Sequence, residues 1–124
     1  MAKPNRVLIV DDNKEILHVL AVLFESEDFL VVGEASDGLD AVTLARRTQP
    51  DFIVLDYKMP GMDGEAAAPL LKAVSPDSRI VAFSGIINKK PTWADAFLTK
   101  DHIAKLAPLL EAMVDEHSQG ADTP

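Results

Sequence analysis

Val7-Leu8-Ile9-Val10-Asp11-Asp12 decides the fold: four apolar residues in unbroken succession, ended abruptly by two carboxylates. A strand with one wet face alternates apolar and polar residues, whereas an unbroken run suits a strand buried on both faces, as in a parallel sheet covered above and below by helices. Phe29 to Val32, Phe52 to Leu55 and Ile80 to Phe83 repeat the pattern, each bounded by polar or turn residues. Between these runs the apolar residues fall at helical spacing: Ile16, Leu20 and Phe24; then Leu39, Val42 and Ala45; then Leu70 and Val74. A fifth strand is expected around Ala94 to Leu98, and a last helix from Ile103, Leu106, Leu110 and Met113. The sum is (βα)5, an α/β doubly wound parallel sheet. Pro69 and Pro108 fall inside predicted helices, where a missing N–H and a crowded preceding turn predict kinks or late helix starts.

The chain has 124 residues, near the commonest size for one domain, and 48% hydrophobic against 26% charged residues is enough apolar material for a real core. No repeat or linker interrupts it, and only 117–124 reads as a loose tail. Without cysteine, neither a disulfide framework nor a thiolate metal site can form. Met1 to Arg6 is polar and the apolar run behind it is too short for a signal peptide or a membrane span, so a cytoplasmic protein without membrane contact is expected. A formal charge of −8 argues against direct nucleic-acid binding, which relies on Lys and Arg neutralising phosphates.

Open parallel sheets bind ligands beyond the carboxyl ends of their strands. Asp11 and Asp12 stand at the end of the first strand, Asp56 at the third, Ser84 at the fourth, and Lys100 just past the fifth. Three carboxylates gathered at one rim repel each other, and a hard divalent cation that takes oxygen ligands and keeps some waters, such as Mg²⁺, resolves the repulsion. Lys100 then offers a positive charge and Ser84 a hydroxyl donor to phosphoryl oxygens, the clamp that phosphoryl transfer needs. Asp56 is the natural nucleophile, because it ends a central strand and precedes a Met59-Pro60-Gly61 turn expected to expose it. Any one of these residues has a plainer role: an Asp after a strand is more often a helix cap, and Asp12 or Asn13 is expected to cap the first helix. Their joint placement is what points to chemistry. His18, His102 and His117 lack ligand spacing and are read as helix-surface or tail residues.

The Val7 to Val10 strand with Asp11-Asp12, then Asp56-Tyr57-Lys58-Met59-Pro60-Gly61-Met62-Asp63-Gly64, then Ser84-Gly85, then Phe97-Leu98-Thr99-Lys100 closely resembles the response regulator receivers of two-component signalling, over nearly the whole chain. The resemblance implies a flavodoxin-like sheet of order 2-1-3-4-5, with a receiver domain over 1–116. It implies that Asp56 takes a phosphoryl group from a sensor histidine kinase or phosphotransfer protein. Asp12 and Asp56 would hold Mg²⁺ directly, Asp11 largely through water, and the Lys58 carbonyl would complete the protein ligands. Lys100 would pair with the phosphate, Ser84 would move to hydrogen-bond it, and Phe97 would swing inward behind Ser84, repacking a face that signals to a downstream protein partner. Such a domain catalyses only its own phosphorylation and dephosphorylation. A stand-alone receiver is the expected organisation, with a homodimer an open alternative.

The sequence departs from that family between Ser84 and Lys100, a stretch several residues shorter than usual. A crossover between parallel strands generally needs about ten to twelve residues including its helix. With Pro91 interrupting, one or two helical turns or an irregular loop is expected there. Trp93 stands where a glycine is common, and is read as covering apolar surface left bare by the missing helix; an exposed partner anchor is the alternative. Asp101 replaces the usual proline after Lys100, and since a cis peptide without proline costs about 3 kcal/mol, the path by which Lys100 reaches a phosphate stays open. Asp101 is expected to cap the last helix instead, and the Lys58 side chain to face solvent. Two rival functions remain: a pseudo-receiver that binds partners without being phosphorylated, and, more weakly, a Mg²⁺-dependent aspartyl phosphatase of the haloacid-dehalogenase type, which carries a second Asp where Lys58 stands. The absence of a P-loop or a G-x-G-x-x-G turn excludes nucleotide binding of those types.

Overall fold

The computed structural model describes residues 5–121, with side chains through residue 114. In chain order the elements are β1 (Asn5–Val10), α1 (Lys14–Ser26), β2 (Phe29–Ala35), α2 (Gly38–Thr48), β3 (Phe52–Leu55), α3 (Gly64–Val74), β4 (Arg79–Ser84), β5 (Ala96–Thr99), a 3-10 segment (Lys100–Lys105) and α4 (Leu106–Ala121). The strands form one sheet in the order β2-β1-β3-β4-β5, all pairs parallel. Among the described residues no helix is long and apolar enough to cross a membrane.

Successive side chains of a strand point to opposite faces, so the unbroken runs feed two cores at once. Val7 and Ile9 of β1, with Val54 and Val81, pack against Leu17, Leu20 and Phe24 of α1 and Leu106 and Leu110 of α4. Leu8 and Val10, with Ile53, Leu55 and Ile80, pack against Ala41 and Ala45 of α2 and Ala67 and Leu71 of α3. Small residues dominate the inner faces of α2 and α3, which lets those helices lie close to the sheet. Each of the first three helices starts at a side-chain cap: Asn13 accepts from the Glu15 and Ile16 amides, Asp37 from Asp40, and Asp63 from Ala66. Of the two residues proposed to cap α1, it is Asn13 that does so.

Several local expectations change. α3 runs without interruption across Pro69 and begins before it, at Gly64. Pro108 lies in the first turn of α4, where its missing N–H would be unpaired in any helix, and the helix does start late, after the 3-10 segment. Asp101 does not cap a helix: it lies inside the 3-10 segment, whose preceding residue is Thr99. The loose tail expected over 117–124 overlaps the end of α4, while residues 122–124, and the side chain of His117, lie outside the described residues.

No helix joins β4 to β5. The connection from Gly85 to Asp95 is irregular, closed by a turn in which the Ala94 amide donates to the Pro91 carbonyl at 3.2 Å. Trp93 packs from this loop against the α2–α3 core, the covering role expected of it. The second strand also extends further than its apolar run, to Ala35, with an irregular register between Val7 and Leu8.

Candidate phosphoacceptor site

Strand register assembles the site. Val10 pairs with Leu55, so Asp11 and Asp56 leave adjacent strands side by side where the strand order reverses around β1. The Asp56 amide donates to the Val10 carbonyl at 3.0 Å and the Asp11 amide to the Ala35 carbonyl at 3.0 Å, fixing both backbones. One carboxylate oxygen from each of Asp11, Asp12 and Asp56 lies within 4.8 Å of the others. Asp12 is exposed, whereas Asp11 is 1% and Asp56 4% exposed. The Met59-Pro60-Gly61 turn therefore does not lay Asp56 open as expected: Met59 is buried in the α2–α3 core.

Ser84 pairs with Thr99, which brings the start of the 3-10 segment to the same rim. Lys100 then extends its ammonium to Asp11 Oδ2 at 2.8 Å and Asp56 Oδ2 at 3.2 Å. Among the described residues every peptide is trans, the Lys100–Asp101 bond included, so the lysine reaches both carboxylates on a trans backbone. Burial pushes the Asp56 carboxyl up to about 6, and Asp11 beside it adds to that, only partly offset by Lys100. Burial pulls the Lys100 ammonium down, but Asp11 and Asp56 together outweigh it and hold it above its ordinary value.

One lysine thus faces two buried acids, and charge is left uncompensated. Asp11 Oδ2 is buried, and the Lys100 ammonium is its close partner. A cluster of three acids facing one lysine fits a hard divalent cation such as Mg²⁺. Asp11, Asp12 and Asp56 are the side chains able to hold it; the Lys58 side chain is exposed.

Ser84 is buried, and its Oγ accepts from the Ile86 amide at 3.2 Å, so its hydroxyl lies against its own loop. Phe97 is half-buried, and strand alternation turns it away from Ala96 and Leu98, which pack on the α1–α4 core. It stands on the face that a helix between β4 and β5 would have covered.

Three features escaped sequence reasoning. Gly64 stands where a Cβ would lie 2.5 Å from the Asp56 carbonyl oxygen, so α3 can start against the back of Asp56 only with glycine there. Tyr57 stacks on Trp93, ring centres 6.4 Å apart and planes 19° apart, joining the residue after Asp56 to the irregular loop. Asp95 accepts from the Ile80 amide at 2.8 Å and pairs with Lys72 at 3.6 Å, tying that loop to the start of β4. The Asp-Gly pair at Asp63-Gly64 was a readable signal for the first; the other two are long-range contacts with no local signature.

The family model of the response regulator receiver domain matches residues 7–106. The chain belongs to this family. Receivers are phosphoacceptor signalling domains of two-component systems rather than conventional enzymes; they bind Mg²⁺ at an acidic pocket and interact with histidine kinases or phosphotransfer proteins and with downstream partners. The transcriptional regulatory protein PdtaR of Mycobacterium tuberculosis is 38% identical over 119 residues, 91% of this chain and 58% of that protein, so the chain spans little more than half the length of this relative. Among solved structures, the response regulator domain of Thermotoga maritima CheB superposes with a TM-score of 0.78 at 30% identity, covering 91% of this chain and 95% of that one. CheY in a CheX–CheY–BeF3–Mg²⁺ complex from Borrelia burgdorferi gives 0.82 at 27%, covering 90% of each. The receiver fold is thus retained with the β4–β5 helix absent.

Proposed function

We propose that this receiver accepts a phosphoryl group on Asp56 from the phosphohistidine of a sensor kinase or phosphotransfer protein, and passes the signal to a protein partner through a change of conformation. The observation that carries this reading is the convergence of Asp11, Asp12 and Asp56 within 4.8 Å, with Lys100 at 3.2 Å from Asp56. An Asp56 carboxylate oxygen attacks phosphorus as the P–N bond to the donor imidazole breaks, the electron pair leaving with the ring. Lys100, already in place, donates to the phosphoryl oxygens, and the Ser84 hydroxyl turns from its loop to add a second donor. Asp12 and Asp56, with Asp11 largely through water, would hold a Mg²⁺ ion, which would supply charge neutralisation for nucleophile and phosphoryl group alike. A structural neighbour that holds BeF3 and Mg²⁺ supports the same use of this pocket. Phe97, on the face next to Ser84, is the residue proposed to follow that hydroxyl inward. The reading places the protein in the cytoplasm, where kinases draw on ATP.

The test is intact mass after incubation with Mg²⁺ and acetyl phosphate. One added phosphoryl group is expected, absent without Mg²⁺ and absent in Asp56→Asn. A folded, metal-binding protein that gains no mass would overturn the reading in favour of a pseudo-receiver that works by binding alone.

A further inference from the structure

The irregular β4–β5 connection leaves a recess of about 430 Å³, bounded by Tyr57, Glu65 and the loop from Ile86 to Trp93. Its wall is mixed: the Tyr57–Trp93 stack and Ile86, 62% exposed, give an apolar part, and Asn88, Lys89 and Lys90 a polar one. An exposed aliphatic side chain beside an aromatic stack at one recess is a feature that an occupant would cover.

Charge says what kind of occupant. The chain carries −8 overall, yet the segment from Gly85 to Ala94 contains Lys89 and Lys90 and no acid, and Lys58 is next in sequence to Tyr57. Among the described residues the ion pairs are Lys72–Asp95, Lys100 with Asp11 and Asp56, and His102–Asp101, so these three lysines face no carboxylate within 4.0 Å. Lys90 donates to the Ala94 carbonyl at 2.8 Å, which orders the loop and leaves its charge uncompensated. Glu65 is the one acid on the wall.

We propose that this recess docks an acidic protein segment that inserts apolar side chains against Ile86, Tyr57 and Trp93 while its carboxylates meet Lys89 and Lys90. A second copy of the chain is disfavoured, because two bodies of charge −8 repel on approach. The surface exists without a phosphoryl group on Asp56, so the proposal stands or falls independently of the phosphoacceptor reading.

Trp93 is the only tryptophan, so its fluorescence reports on the recess directly. The probe is a set of helical peptides of about twelve residues carrying Glu on one face and Leu and Phe on the other, as in helix-in-groove recognition. Controls have Lys for Glu, or Ser for the apolar residues. Saturable change in Trp93 emission is expected with the acidic apolar peptides alone, with affinity reduced about tenfold in Lys89→Glu and in Ile86→Ser. Both variants should melt as the parent does and still gain a phosphoryl group from acetyl phosphate. No saturable change up to about 1 mM peptide, equal binding of the basic control, or affinity unaltered by Lys89→Glu overturns the proposal. So does a concentration-dependent dimer, seen by sedimentation, that Lys89→Glu dissociates, since the occupant is then a second copy.

Discussion

Two consecutive crossovers of the same sheet are built in opposite ways. From β3 to β4 the chain makes an eleven-residue helix, α3, capped by Asp63 and seated on Leu71 and Ala67. From β4 to β5 it makes no helix, and a single indole lies on the core in its stead. The first crossover starts against Asp56, where a Cβ on Gly64 would meet the Asp56 carbonyl at 2.5 Å, so its geometry is tied to the acidic site. The second has only to deliver β5 in register, so that Ser84 faces Thr99 and Lys100 follows at the rim. A receiver can therefore lose a helix on one side of its acidic site and keep both the sheet order and the lysine contact.

The comparison is sharpest in stability. Leu71 is fully buried under α3, and Leu71→Ala is expected to cost about 2–5 kcal/mol. Trp93 is only half-buried, and Trp93→Ala is expected to cost about 1–2 kcal/mol, the transfer free energy of the part of the ring that covers the core. Urea unfolding at fixed protein concentration measures both. If Trp93→Ala cost as much as Leu71→Ala, the indole would be a keystone of the fold rather than a cover; if it cost nothing, the loop would owe its order to Asp95 and Lys90 alone.

The difference between the two crossovers also marks what the sequence could convey. The four apolar runs predicted four buried strands, and β1, β3 and β4 are so buried, whereas β2 lies at the sheet edge with Leu30 48% exposed; Asp11, Asp56, Ser84 and Lys100 followed as strand-end residues because a parallel sheet puts all such ends on one rim. β2 was read too short, since Gly33 and Glu34 break the apolar run while their backbones still pair; at Gly33 a Cβ would lie 3.1 Å from Leu8 Cδ1, an approach no local pattern announces. β5 was placed too early, because Ala94 belongs to the turn closed on Pro91. That the β4–β5 helix would be cut short was a matter of counting residues. What replaces it, the stack of Trp93 on Tyr57, joins residues far apart in the chain and became visible only once the fold brought them together.

A smaller effect concerns the acids themselves. Asp56 has its folded-state value raised to about 6, from 3.8. A raised carboxyl binds its proton more tightly in the folded state, so the stability it contributes is fully present below about pH 4 and lost as pH rises through about 6. In metal-free buffer, Asp56→Asn is therefore expected to melt higher than the parent at pH 7.5, by about 4 °C for each kcal/mol relieved, and to lose that advantage at pH 4. Adding Mg²⁺ at pH 7.5 should raise the parent and leave the variant nearly unmoved. Parallel melting curves for the two proteins from pH 4 to 7.5 would show that burial and Asp11 do not strain this carboxylate.

The smallest expected effect tests how the helix-free crossover is moored. Beside its backbone amide, which donates to the Ile80 carbonyl at 2.8 Å, the Asp95 side chain has two contacts of unequal worth: a hydrogen bond from the Ile80 amide at 2.8 Å and an ion pair with Lys72 at 3.6 Å, both side chains of the pair being well exposed. Exposed ion pairs contribute about 0–1 kcal/mol, whereas a backbone donor left without its acceptor costs about 1–3 kcal/mol if it is shut away from water. Asp95→Asn keeps a carbonyl oxygen for Ile80 and removes the charge, so a change below about 1 kcal/mol is expected, shrinking further at high salt. Asp95→Ala removes both and should cost more, by the worth of the hydrogen bond. Equal costs for the two variants would mean that the ion pair, and not the bond to β4, holds the loop; the ordering Ala above Asn would place the anchorage at Ile80, on the strand that ends in Ser84.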